Sequence, residues 1–175
     1  MKATNSVVLN VMNVLFWVVF IGLCIKTGAL LTAFLVSLFI SAEGAKDLYT
    51  GLNLAGLHAY SLRHYVQVVS LLLMSNALKA YMAYLVVRIF MKFDLASPFH
   101  ADVTDLITAI SQVAFGAGLV AVIANGYTDW LLKRGVAVPL HWNSSELLFF
   151  AGVIYIIAHV FKRGTELQTD NELTV

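Results

Sequence analysis

Four long apolar runs, separated by short polar segments, set the pattern of this chain. The first extends from Val7 to Ser41 and is interrupted only by Lys26, Thr27 and Gly28. The second covers Val66 to Phe90, with Lys79 inside it. The third is Leu106 to Ala124, and the fourth is centred on Leu147 to Phe161, followed at once by Lys162 and Arg163. A spanning helix needs about 20 mostly apolar residues to cross ~30 Å of hydrocarbon. The pattern therefore predicts an all-α fold: a single-domain integral membrane four-helix bundle with interfacial loops. The spans fall at about 7–40, 62–92, 102–125 and 144–163, and a polar C-terminal tail occupies 164–175. Composition agrees. Charged residues make up 12% of the chain, where a soluble domain has about a quarter.

The first run is longer than one crossing needs. Either a span over about Val7 to Ile25 is followed by a separate interfacial or re-entrant piece at Ala29 to Ile40, or one long helix tilts through the membrane. Gly28 is the only breaker at that interruption, which favours one helix. Lys26 decides neither reading, because a lysine can snorkel its ammonium to the interface. Cys24, the single cysteine, has no intrachain partner. Ile21, Gly22 and Leu23 precede it, with a large leucine where a lipidated cysteine has a small residue, and no cleavage site follows the first run, which reads as a retained span.

Glu43 to Tyr65 mixes leucines with Lys46, Asp47, His58, Arg63 and His64, and reads as an interfacial loop with some helix. Ser97-Pro98 is a helix-start signal, with Asp102 and Asp105 near the positive end of that helix. Ala114, Ala117, Gly118 and Ala121 repeat at a spacing that lets helix backbones approach closely. Tyr127, Trp130 and Trp142 are amphipathic aromatics suited to the headgroup zone. Basic residues crowd the ends of spans two and four, so both termini are expected in the cytosol.

Catalytic signatures are missing. There is no HExxH, no GxSxG, no phosphate loop and no cysteine pair. The five histidines have no metal-ligand spacing, so neither metal nor cofactor is expected. A net charge of +1 gives no field for direct nucleic-acid binding. Intramembrane charge is a functional hypothesis by default. Lys79, near the middle of the second span with Asn76 one turn away, is the candidate polar site. It is either a contact for an anionic headgroup or ligand, or a structural clamp with Asn76, Asn125 or a backbone carbonyl as partner.

The C-terminus carries a specific pattern: Phe161-Lys162-Arg163-Gly164, Glu166-Leu167-Gln168, then Asp170-Asn171-Glu172-Leu173-Thr174-Val175. It resembles the ending of a bacterial membrane family catalogued as domain of unknown function 2975. Ser97-Pro98-Phe99 is similar to that family's loop between spans two and three, although His100, Ala101 and Asp102 replace its acidic-Asn element. Phe16-Trp17 through Ile25 looks like its Bacteroidetes-type branch. The resemblance implies a bacterial inner membrane and a small cytosolic helix-turn-helix regulator as partner. The tail residues Arg163, Glu166, Gln168, Asp170, Asn171, Glu172 and Leu173 would be its contact. The expected function is thus a non-enzymatic membrane regulator that sequesters or signals to such a factor. The alternative is a small transport or lipid- or ligand-binding protein working through Lys79. A structural reading makes the tail a solvated end with Gly164 stopping the helix. Oligomeric state is not readable from the sequence.

Overall fold

The structure, a computed structural model, describes residues 2–93 and 101–172, with side chains at 7–93 and 101–168. Among these residues every regular element is helical. The elements are α1 (Lys2–Phe39), a 3-10 turn (Ala42–Ala45), α2 (Ala55–Tyr60), α3 (Leu62–Lys92), α4 (Ala101–Leu132) and α5 (Ser144–Glu172). The four long helices are each apolar and long enough to cross a membrane. The all-α four-helix architecture follows the apolar runs, because in hydrocarbon a helix alone satisfies its own backbone.

The bundle is open. α1 packs on α3, α3 on α4, and α4 on α5; no other pair of long helices meets among the described residues. Every neighbouring pair is antiparallel. Phe16 meets Phe90, Phe20 meets Tyr84 and Phe34 meets Tyr65 between α1 and α3. Lys92 pairs with Asp102 at 2.6 Å between α3 and α4. Thr104 meets Thr165, and Asn125 meets Ser144, between α4 and α5. The start of α1 and the end of α5 therefore share one end of the molecule, the terminal end. The loops 40–61 and 133–143 occupy the other, the loop end.

α1 is a single helix through Lys26 and Gly28, and no separate piece forms at 29–40. α4 continues seven residues past the expected end at 125, to Leu132. Thr128 Oγ1 donates back to Ala124 O at 2.9 Å and helps seat that extra turn. The helix then closes on a glycine cap: Gly135 has φ +83°, its N–H bonds Leu132 O at 2.9 Å, and Val136 N–H reaches Leu131 O at 3.1 Å. α5 also continues, through Gly164 to Glu172. Gly164 does not stop it, since an interior glycine costs only ~1 kcal/mol and the next residue, Thr165, is packed on Thr104 at 2.9 Å.

The small-residue face of α4 is buried at Ala114, Ala117, Gly118 and Ala121. A Cβ on Gly118 would lie 2.5 Å from Leu148 Cδ2, so the Leu148 side chain packs where any larger residue would displace it. The main core sits at the loop end. Ala45, Leu48, Leu54 and Leu57 of the supposed interfacial segment are buried there with Leu30, Tyr65, Val68, Ala121, Leu131 and Trp142. That segment is thus a folded plug. Trp142 is part of this core rather than of an aromatic belt, at 4% exposure.

Candidate functional site

The candidate site lies between α1 and α3, beneath the plug. Its roof is a tight turn. Leu52 N–H bonds Tyr49 O at 3.0 Å, and Leu48 N–H bonds Leu52 O at 2.9 Å. The two central residues, Thr50 and Gly51, have φ of +43° and +87°, the geometry of a type I′ turn. Asp47 Oδ1 accepts from Gly51 N–H at 2.9 Å and fixes the turn. A cleft of about 350 Å³ opens below it, walled by Leu30 and Leu72 and closed at the side by Pro139 and Leu140.

Among the described residues, Lys26 is the one charged residue lining this cleft. Its ammonium lies 5.7 Å from the centre of the Tyr49 ring, within cation–π range. The sequence marked Lys26 as a break in an apolar run, readable as a snorkelling residue. The signal that it belongs to a site is its depth. It stands thirteen residues from the end of α1 at Phe39, about 20 Å along the axis.

The antiparallel register places this stretch of α1 against the middle of α3. Phe20 packs on Tyr84 and Phe34 on Tyr65, so the residues around Asn76 and Lys79 face the residues around Lys26. Lys79 is half-buried; it stands on the stretch of α3 apposed to Lys26 and is not among the residues lining the cleft. Among the described residues, the ion pairs are Lys46–Glu43, Lys92–Asp102 and Arg163–Glu166, and none involves Lys26 or Lys79. Asn76 is buried and one turn from Lys79, but its amide donates to Leu72 O at 2.8 Å. The other expected partner, Asn125, donates to Ser144 Oγ at 2.8 Å at the far side of the bundle. The predicted Lys79–Asn76 pair therefore shares a helix face region without a mutual hydrogen bond, and the second member of the site is Lys26.

Of the predicted tail residues, Arg163 pairs with Glu166 at 2.9 Å, one turn apart on α5. Glu166 also borders a cleft of about 590 Å³ between α4 and α5, with Asp105, Thr108 and Lys162. Gln168 is half-buried. Asp170, Asn171 and Glu172 lie on the last turn of α5, and their side chains, like Leu173 and the Ser97-Pro98-Phe99 loop, fall outside the described residues. The histidines are dispersed: His58 packs edge-on to Tyr65, His64 lies among Tyr60, Tyr127 and Trp130, and His159 stacks on Tyr155.

The fold and site define a multi-pass membrane protein with a cationic cleft. No family model, curated protein or solved structure matches the chain.

Proposed function

We propose that this chain is a non-enzymatic membrane protein that binds an anionic group, a phosphate or carboxylate, in the Lys26 cleft. One observation carries the reading: two lysines stand on apposed stretches of α1 and α3 near the middle of the spans, and neither is in an ion pair with a carboxylate among the described residues. α3 has 31 residues and is about 46 Å long, so a ~30 Å hydrocarbon layer is centred close to Asn76 and Lys79. A lysine at that depth costs on the order of 2.5–3.5 kcal/mol, and two of like sign raise the cost further. An anion between or above them offsets both terms. The cleft gives it a route from the loop end, past Thr50 and Gly51 to Lys26. The orientation proposed with it places the termini in the cytosol of a bacterial inner membrane, so the cleft opens on the opposite face.

The test is a binding titration on protein in zwitterionic nanodiscs, with inorganic phosphate in one arm and short-chain phosphatidic acid in the other. Saturable binding that Lys26→Gln abolishes and Lys79→Gln weakens is the expected outcome. Saturation by phosphate identifies a soluble anion, and saturation by the lipid alone identifies a headgroup. Binding in neither arm, or equal binding by Lys26→Gln, overturns the reading.

A second reading rests on α5. Its terminal turns are already helical and carry Glu166 beside the cleft with Asp105 and Lys162. This supports the regulator function that the tail's resemblance implies, with a small basic helix-turn-helix protein docking on the terminal end. Truncation after Gln168 keeps the Thr104–Thr165 contact. The reading requires that truncation to lose the soluble DNA-binding protein that the full chain recovers, in a salt-sensitive manner.

A further inference from the structure

A second groove lies between α3 and α4 at the loop end, on the bilayer-facing side. It has a volume of about 420 Å³ and is lined by Val66, Gln67, Ser70, Leu71, Met74, Ile123 and Tyr127. Its polar and apolar groups are graded along the membrane normal. Tyr127 donates to Gln67 Oε1, so His64 Nδ1 is the donor in its 2.5 Å contact with the Tyr127 oxygen. This chain fixes the Gln67 side chain and leaves its amide nitrogen directed elsewhere. Neither that nitrogen nor the Ser70 hydroxyl has a protein partner among the described residues, and both residues are exposed. Exposed here means facing lipid, where an unmet donor is costly.

Depth says what meets these donors. α3 exceeds the ~30 Å hydrocarbon layer by about 8 Å at each end, and Gln67 stands about 8 Å from the start of the helix. That is the level at which the ester carbonyls of a phospholipid lie, at the boundary of headgroup and chains. Below it the groove is wholly apolar: Leu71, Met74 and Ile123. Above it Tyr127 stacks on Trp130 with ring centroids 5.9 Å apart. The Arg134 guanidinium covers Trp130 at 3.9 Å from its ring centre. Arg134 stands just past the end of α4 at Leu132, so its guanidinium, held over Trp130, lies about one turn beyond Tyr127 toward the loop end.

We infer that the α3–α4 groove is a specific site for an ester-linked glycerophospholipid. One acyl chain lies along Leu71, Met74 and Ile123, its ester carbonyl accepts from Gln67 and Ser70, and its phosphate meets Arg134. The order of chain, carbonyl and phosphate in the lipid matches the order of apolar, donor and cationic residues in the protein. The site is independent of the Lys26 cleft, which opens between different helices.

The experiment offers the purified protein an equal mixture of a diester phosphatidylcholine and its dialkyl ether analogue. Native mass spectrometry then counts each retained lipid. Headgroup and chains are the same, so only the carbonyl distinguishes them. The parent chain should retain the ester form about threefold more, the effect of one membrane hydrogen bond. Gln67→Leu and Ser70→Ala should each bring the ratio toward one, and Arg134→Gln should reduce retention of both lipids without changing the ratio. Lys26→Gln should leave the ester-to-ether ratio unchanged, because that cleft opens between different helices. A ratio of one in the parent chain, or an unchanged ratio in Ser70→Ala, overturns the inference even if Gln67→Leu fails to fold.

Discussion

Ser37 Oγ and Tyr65 Oη are 2.6 Å apart across the α1–α3 contact, at the level of the plug. Ser37 donates to Phe34 O at 2.7 Å within its own helix, so Tyr65 is the donor across the interface. Tyr65 is fully buried, its ring against Phe34 and His58. Tyr65→Phe keeps the packing and removes only this bond. It should lower stability by about 0.5–1.5 kcal/mol, the range for hydrogen bonds between membrane helices. Ser37→Ala should cost a similar amount, and the double variant little more than either alone. Chemical unfolding of the four proteins in one detergent checks the coupling.

Gly118 of α4 lies directly against the Leu148 side chain of α5. Gly118→Ala should be destabilising by about 1–3 kcal/mol, the usual cost of an overpacked core, although alanine is the better helix former. Leu148→Ala combined with it should recover part of the loss. Gly28→Ala, where nothing lies within 4 Å of the new Cβ, should be neutral or stabilising. Thermal unfolding of these variants separates close packing from helix propensity.

Both termini should report the same compartment. The antiparallel order of the four helices puts the start of α1 and the end of α5 at one end. Fusions at Val175 should give a bright cytosolic reporter and a silent alkaline phosphatase, and fusions in the 133–143 loop the reverse. Phosphatase activity at Val175 would invert the proposed orientation while leaving the helix order intact.

The four helices were legible because apolar length is a direct demand of the bilayer. Their ends were less so. The third span is predicted to end near 125 and Gly164 reads as a stop signal, yet α4 and α5 run through both, because side-chain contacts such as Asn125–Ser144 and Thr104–Thr165 outweigh a weak local preference. The packing of the segment before α3 was not legible for a similar reason, although the sequence predicts some helix there. Leu48, Leu54 and Leu57 sit among charged residues in the sequence, and only the turn fixed by Asp47 shows how they turn inward. Lys79 stood out as a charge within a span. Its counterpart Lys26 could not be recognised, since their juxtaposition depends on the register of two helices about fifty residues apart.

The central claim is that Lys26 and Lys79 are held ready for an anion, and thermal unfolding with and without phosphate tests it most directly. In the parent chain phosphate should raise the unfolding temperature, since a ligand bound only by the folded state stabilises it. Lys79→Glu places a carboxylate opposite Lys26, so it should unfold at a higher temperature without phosphate and gain nothing when phosphate is added. Lys26→Gln should likewise lose the response. A Lys79→Glu protein that is less stable than the parent, or that keeps the full phosphate shift, would contradict the account.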